Sequence, residues 1–268
     1  MNFIVCVKNV PGTNEVKMNS KTNTIIREGV ESIINPFDTY AIEEGLRLRE
    51  RTGGKGKVIA LSMGIPSVES MLREIIALGA DEAILLSDRV FAGADTLATS
   101  YALSMAIKKI SSYELILCGK QASDGDTAQV GPELAEKLGI PHTTNVKKIE
   151  EIKEGYIRCQ RMTDNGYETI EMTLPAVISV TKEINEPRLP SLKGLMRSKK
   201  YQPAVWKASD INADESKCGL SGSPTKVIKT FIPVRTSSSE IISGTPEEQA
   251  KQLSERLLKL KFVKCQQL

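Results

Sequence analysis

The chain has 268 residues, 40% of them hydrophobic, which suits one large core or one core with an appendage and excludes a disordered chain. The formal net charge of +3 is too small to suggest a nucleic-acid partner, and no apolar run approaches the ~20 residues that cross a bilayer. The opening Met1-Asn2-Phe3-Ile4-Val5-Cys6-Val7 lacks the basic start and long apolar stretch of a signal peptide, so a cytoplasmic protein without a membrane span is expected.

Phe3-Ile4-Val5-Cys6-Val7 is a continuous apolar run, the pattern of a strand buried on both faces of a parallel sheet. Asn14 to Arg27 reads as a polar excursion, a hairpin. Pro36 to Arg49 carries Ala41, Ile42, Gly45, Leu46 and Leu48 near helical spacing, and Gly53-Gly54 stops it. Val58-Ile59-Ala60-Leu61 is the next strand, Ser67 to Leu78 a helix closed by Gly79, and Glu82 to Leu86 another strand. Asp95 to Ile110 repeats the helix, Leu115-Ile116-Leu117-Cys118 repeats the strand, and Glu133 to Leu138 looks helical again. This alternation predicts an α/β fold with a doubly wound, mostly parallel, Rossmann-like sheet. In such sheets ligands sit beyond the carboxyl ends of the strands.

Past Gly139-Ile140-Pro141 the character changes. His142 to Ile149, Tyr156 to Met162, Tyr167 to Met172 and Ala176 to Val180 read as added strands, with Asp164-Asn165-Gly166 as a hairpin turn. From Lys182 to about Pro224 the chain is Pro-rich, basic and weakly periodic, and it reads as an arm or loop without a core of its own. Asn185 to Arg235 holds ten Lys/Arg against four Asp/Glu, which leaves the rest of the chain net acidic. Lys226 to Val234 reads as a strand. Pro246 to Phe262 reads as a helix, with Thr245 as its cap and Glu247 and Glu248 in its first turn.

The five cysteines (Cys6, Cys118, Cys159, Cys218, Cys265) form no C-x-x-C pair and fit reduced thiols, two of them in core strands, better than disulfides or a zinc site. The single histidine, His142, reads as a solvated residue just past a helix. One histidine rules out a multi-His metal site within the chain and argues against a Ser-His-Asp or Cys-His centre. Neither a metal ligand set nor a catalytic acid or base is expected.

A site should therefore be built from strand-end loops: Lys8 to Thr13, the Asn35 region, Ser62-Met63-Gly64, and the turn from Gly119 to Pro132. That turn has neither the P-loop nor the dinucleotide fingerprint. It offers Gly119 at the strand exit, Gly125 where the backbone can take a positive φ, and Asp126 to Gln129 as a capping box. Free amides there, with the Ser123 and Thr127 hydroxyls, can ligate phosphate oxygens without a cation. Asp124 and Asp126 repel phosphate unless they face a ribose or cap amides. On these residues alone a capped turn and a phosphate cradle both stay open, and Pro132 leaves the helix start open between Asp126 and Gly131. Asn35-Pro36-Phe37-Asp38 is a strong helix start that capping alone can explain, and Met63 fits either a core position or a contact with a flat ring.

Val5-Cys6-Val7-Lys8, Asn35-Pro36-Phe37-Asp38 running into Ala41-Ile42-Glu43-Glu44, Gly119-Lys120-Gln121-Ala122 with Asp124-Gly125-Asp126, and Leu174-Pro175-Ala176-Val177 leading to Asn185-Glu186-Pro187-Arg188 stand in an order and spacing that resemble the beta subunit of electron transfer flavoprotein. The resemblance runs over about residues 3 to 200.

It implies a heterodimer with an alpha subunit that moves electrons between flavins. It also implies an adenine nucleotide on the strand-end loops, AMP in conventional members and FAD in those that bifurcate electrons from NADH. The binders so implied are Cys6, Lys8, Asn35, Asp38, Met63, Gly119, Gln121, Ala122, Ser123, Asp124, Gly125, Asp126, Thr127, Ala128, Gln129 and Val130. Many conventional members have a more acidic turn followed by Asn-Gln-Thr. The Asp124-Gly125-Asp126-Thr127 version here resembles the bifurcating branch, so FAD is favoured over AMP, with NADH as electron donor and a second FAD in the alpha subunit. Asn185 to Lys200 matches the family's recognition loop for a flavin dehydrogenase, such as an acyl-CoA or hydroxy-acid dehydrogenase. Leu192 would be the anchor, Leu195 and Met196 its neighbours, and Arg188, Lys193, Arg197, Lys199 and Lys200 the cations that steer toward an acidic partner.

The implied organisation is a nucleotide-binding α/β domain with added strands over residues 1–184, a basic docking arm over 185–224, and a C-terminal strand and helix over 225–268 that pack on the domain or the alpha subunit. The chain is then an electron-carrier subunit of an NADH-dependent bifurcating complex. The alternatives are a conventional beta subunit holding AMP and an adenine-nucleotide enzyme of the same fold. The lack of a Ser-Gly-Gly-x-Asp-Ser loop after the first strand counts against the enzyme.

Overall fold

A computed structural model of the chain describes residues 1–12, 18–19, 24–25, 32–228 and 239–262. The strands are β1 (Phe3–Cys6), β2 (Asn9–Pro11), β3 (Met18–Asn19), β4 (Thr24–Ile25), β5 (Ser32–Ile34), β6 (Val58–Met63), β7 (Glu82–Leu86), β8 (Leu115–Gly119), β9 (His142–Lys153), β10 (Tyr156–Thr163), β11 (Gly166–Thr173), β12 (Ala176–Val180) and β13 (Ala204–Trp206). The helices are α1 (Pro36–Arg51), α2 (Glu69–Leu78), α3 (Thr96–Ile110), α4 (Val130–Leu138), α5 (Leu192–Lys200) and α6 (Pro246–Lys259).

A nine-stranded sheet runs in the order β11-β10-β9-β12-β8-β1-β6-β7-β13. From β9 through to β13 every neighbouring pair is parallel, and only β10 and β11 extend the sheet in antiparallel fashion. The apolar runs of β1, β6, β7, β8 and β12 are buried on both faces. Ala41, Ile42, Leu46 and Leu48 of α1 and Leu72, Ile75 and Ile76 of α2 cover one face, and Ala102, Leu103 and Ile107 of α3 and Leu134 and Ala135 of α4 cover the other. The expected doubly wound α/β sheet is the observed one.

After β1 the chain builds β6 and β7 on one side and then returns to place β8 and β12 on the other. The point of reversal lies between β1 and β8, where Phe3 pairs with Leu115 and Cys6 with Cys118. In an open α/β sheet this is where loops part to leave a crevice beyond the carboxyl ends.

Within the polar excursion β3 and β4 pair antiparallel, Met18 opposite Ile25 and Asn19 opposite Thr24, while the rest of the expected hairpin lies outside the described residues. The turn at Asp164 and Asn165 closes another, with Thr163 opposite Gly166. His142 is exposed at the start of β9.

The segment from Lys182 to Pro224 departs from the irregular arm expected. It contains α5, and β13 adds to the β7 edge in parallel, Ala204 opposite Ile84. Leu192, Leu195 and Met196 stand at helical spacing in α5, but that apolar face is exposed and only Ser198 of the helix is buried, so the helix packs no apolar stripe on the core. Its order comes from tertiary contacts: the Tyr201 hydroxyl accepts from the Ala83 amide at 2.8 Å, and Arg197 donates to the Asp81 carbonyl at 2.6 Å.

The chain divides into two compact units, Met1–Ile228 and Lys229–Leu268. Most of the strand expected from Lys226 to Val234 lies outside the described residues. In the second unit Thr245 and Glu248 form a capping box that opens α6, and Arg256 pairs with Glu240 at 2.5 Å. Among the described residues no helix is long and apolar enough to cross a membrane.

Candidate functional site

Cys6 and Cys118 end β1 and β8 side by side. Both are buried, and a hydrogen bond to Cys6 together with burial pushes the Cys118 thiol well above its ordinary value. At these strand ends Cys118 is a protonated thiol rather than a nucleophile.

Above them a buried network joins the loops. The Lys8 amide donates to Asp38 Oδ2 at 2.7 Å, and Asn35 Nδ2 donates to Asp38 Oδ1 at 2.9 Å. Asn35 Nδ2 also reaches the Gln121 carbonyl at 2.9 Å, while its Oδ1 accepts from the Ser123 amide at 3.0 Å. Asn35 stands at the N-cap of α1 but makes no side-chain cap bond. Capping alone, adequate for Asn35 in the sequence, is replaced by a tie between the first and fourth strand-end loops. Burial pushes the Asp38 carboxyl up to about 7, against the pull of hydrogen bonds from Asn35, Lys8 and the Gly119 amide.

Gly119 is required by close approach. A Cβ there would lie 2.7 Å from the Phe37 carbonyl carbon and 2.8 Å from the Phe37 Cβ, with Asp38 Oδ1 nearer still. The fourth loop thus presses directly on the first turn of α1.

Beyond Gly119 the turn rises into solvent. Gln121 and Ala122 are half-buried, Ser123 to Gln129 are exposed, and Val130 is half-buried at the start of α4. Two expectations are corrected here. Gly125 does not take a positive φ; it lies inside the turn closed by the Asp126 amide donating to the Ala122 carbonyl at 2.8 Å, and Asp126 (φ 54°) and Ala128 (φ 55°) take the left-handed conformation instead. No capping box forms over Asp126 to Gln129, because the Asp126 carboxylate accepts from Gln121 Nε2 and α4 opens at Val130 with no side-chain cap. The start of α4 is thus settled at Val130, with its leading amides uncapped by side chains.

Lys8 Nζ pairs with Asp124 Oδ1 at 2.6 Å with half of its side chain exposed, so part of the acidic charge of the turn is neutralised at the rim. Met63, half-buried at the end of β6, packs against the core under α3 and α4 and joins none of these hydrogen bonds.

The electron transfer flavoprotein domain model matches residues 22–211. The chain is 49% identical over 258 residues to "Electron transfer flavoprotein subunit beta" of Thermoanaerobacterium thermosaccharolyticum, covering 96% of this chain and 98% of that one. The chain belongs to the electron transfer flavoprotein family, on its beta-subunit side. It is also 46% identical over 245 residues to "Caffeyl-CoA reductase-Etf complex subunit CarD" of Acetobacterium woodii, covering 91% and 93% of the two chains. To "Protein FixA" of Bradyrhizobium diazoefficiens it is 40% identical over 260 residues, covering 94% and 90%. An electron transfer flavoprotein beta subunit works in electron transport beside an alpha subunit, in a family associated with flavin and AMP.

In this electron transfer flavoprotein chain the residues expected to dock a dehydrogenase separate into two sets. Leu192 (79% exposed), Met196 (70%) and Leu195 (43%) stand out from α5, as does Leu189 (89%) just before it, and Lys193 is exposed beside them. Arg188 instead turns toward α1, while Arg197 stays exposed. Arg188 pairs with Glu43 and Glu50 at 2.7 Å each, and Arg197 holds the Asp81 carbonyl. Both carboxylates lie within reach of the Arg188 fork, so its guanidinium is engaged within the chain.

Sequence reasoning missed Glu43, which is buried, and Phe37, which walls Gly119. Ala41-Ile42-Glu43-Glu44 reads as an ordinary helix with a charged outer face, so no local signal marks Glu43. The glycine at the strand exit was the signal for Phe37, had its neighbour been known.

Proposed function

We propose that this chain is the FAD-binding beta subunit of an electron-bifurcating heterodimer. NADH is the electron donor, the alpha subunit holds the second FAD, and electrons leave both to a flavin dehydrogenase acting on an acyl-CoA or hydroxy acid and to a low-potential acceptor. The observation that carries this reading is the Gly119-to-Val130 turn, fixed from below by Asn35 and open above. Two left-handed residues in its exposed part and the uncapped start of α4 present backbone amides suited to pyrophosphate. Asp126, engaged by Gln121, and Asp124, engaged by Lys8, keep their carboxylates occupied, which reduces their conflict with an anion. The name of the CarD relative, a subunit of a caffeyl-CoA reductase complex, supports a dehydrogenase-linked role.

Bound FAD supplies the redox chemistry. The chain supplies placement: Asn35 and Asp38 hold the two loops at fixed separation, and the turn offers amides. None of these groups acts as an acid or base.

The test is to purify the heterodimer and count its nucleotides. Two FAD per dimer, both bleached by NADH, are expected. One FAD and one AMP would overturn the bifurcating reading while leaving family membership untouched.

A further inference from the structure

Arg188 lies at the start of the exposed segment yet makes its bonds to α1. Its Nε donates to Glu43 Oε2 at 2.7 Å, its amide to the same oxygen at 3.2 Å, and its Nη2 to Glu43 Oε1 at 3.2 Å. Its Nη1 donates to Glu50 Oε1 at 2.7 Å and its Nη2 also reaches Glu50 Oε2 at 3.3 Å. Glu43, whose side chain is 4% exposed, takes a further bond from Arg47 Nε at 2.6 Å. Burial pushes the Glu43 carboxyl up, but the bonds from Arg188 and Arg47 outweigh it and hold it below the usual range. Just upstream, Asn185 Nδ2 donates to the Tyr40 carbonyl and to Glu44 Oε2, both at 3.0 Å, and Arg47 Nη2 donates to the Glu186 carbonyl at 3.3 Å. Residues 185–188 are thus fastened along α1.

The far end is fastened to α2. A Cβ on Gly194 would collide with the Ala77 carbonyl oxygen, and Arg197 donates to Asp81. Between these two anchors, Leu189 and Leu192 project into solvent. An exposed leucine on a tethered segment loses less freedom on binding than one on a free loop. The fork of an arginine can bridge two carboxylates at once, whereas an ammonium presents a single point charge.

We propose that the Glu43–Arg188–Glu50 cluster is a positioning clamp, setting where the Leu189-to-Met196 surface is presented, and that Arg188 affects a docked partner only through it. The proposal rests on the reading of that surface as the dehydrogenase-docking site.

The test uses the flavin-loaded heterodimer with an acyl-CoA dehydrogenase as acceptor and follows two readouts: trypsin cleavage after Lys193, Arg197, Lys199 and Lys200, and KM for the dehydrogenase against kcat. Glu43 is buried and meets no partner, so Glu43→Gln should reproduce Arg188→Ala. Each should speed cleavage and raise KM about tenfold, the change expected from losing one charge-assisted bond pair, with kcat unmoved and the double variant no worse than either single one. Arg188→Lys should fall between, and Glu50→Gln, at a half-exposed position with little risk to folding, should give a smaller change of the same kind. Unchanged cleavage in Glu50→Gln and Arg188→Lys alike would overturn the clamp. So would a rise in KM confined to Arg188→Ala, which would make Arg188 a direct contact. If cleavage rises but KM does not, positioning is overturned, and Leu192→Ala then separates the causes: a raised KM there rejects only the clamp, while an unmoved one rejects docking at this surface.

Discussion

The floor and the rim of the proposed nucleotide site are built by opposite means. In the floor, Asn35 is 1% exposed and Asp38 6%, and each spends its side chain on the backbone or side chain of another loop. In the rim, Ser123 to Gln129 are exposed, and their conformation is set by turns and left-handed residues rather than by packing. The difference teaches a division of labour: buried polar side chains fix the distance between loops, and exposed backbone is left to meet a ligand. Substitutions in the floor should therefore cost stability first and nucleotide second, and substitutions in the rim the reverse.

The sharpest way to break that contrast is Gly119→Ala. The added methyl meets the Phe37 backbone and Cβ as well as the hydrogen-bonded Asp38 carboxylate, none of which is the free end of a flexible side chain, so the strand exit or the start of α1 has to move. A loss of about 3 kcal/mol in urea unfolding is expected, with nucleotide lost as well. A loss below about 1 kcal/mol would show that the floor yields and that the contrast is overstated.

Asn35→Ala comes next. It removes the donor to Asp38 and leaves the Gln121 carbonyl and Ser123 amide without their partner, so about 2 to 3 kcal/mol should be lost in the same measurement. If Asn35 only favoured the helix start, the loss would stay near 1 kcal/mol.

These two residues also show what could be read in advance. The apolar runs of β1, β6, β7 and β8 and the helices between them were legible because strand and helix periodicities are local properties. Asn35-Pro36 was legible as a helix start, but the bond from its side chain to Gln121 spans 86 residues and has no local signature. Gly125 drew attention as the flexible residue of its turn, yet the turn places its left-handed residues at Asp126 and Ala128. Arg188 showed its charge and hid its partners, since Glu43 sits in a helix whose acidic pair looks solvated. In α5 the helical spacing of Leu192, Leu195 and Met196 was present in the sequence, but Pro187, Pro190 and the surrounding basic residues made the segment read as an arm, and its contacts to α2 have no local signature.

Asp38 gives a smaller and pH-dependent test of the floor. Its pKa is raised from 3.8 to about 7, so the folded chain holds this proton more tightly than the unfolded one. Its contribution is fully favourable below the unfolded value and diminishes as the pH rises toward about 7. Asp38→Asn should flatten this slope, changing the difference in unfolding free energy between pH 5 and pH 7 by about 1 to 2 kcal/mol. An unaltered slope would mean that the carboxylate is already ionised in the floor and that its hydrogen bonds, not its burial, dominate.

The rim is tested by Ala128→Gly, for which the smallest change in stability is expected. A left-handed Ala costs about 1 kcal/mol that Gly does not, but Gly adds a similar amount of backbone freedom to the unfolded chain. The two effects oppose each other, so unfolding should shift by less than about 0.5 kcal/mol. Retention of nucleotide should nevertheless fall several-fold, because the amide following Ala128 is aimed by that residue's φ of 55° and nothing buried holds it there. Equilibrium dialysis of the heterodimer, with the nucleotide counted before and after, reads this separately from folding. If retention and stability moved together in Ala128→Gly as they are expected to in Gly119→Ala, rim and floor would be one structural unit, and the exposed turn would owe its shape to the network beneath it.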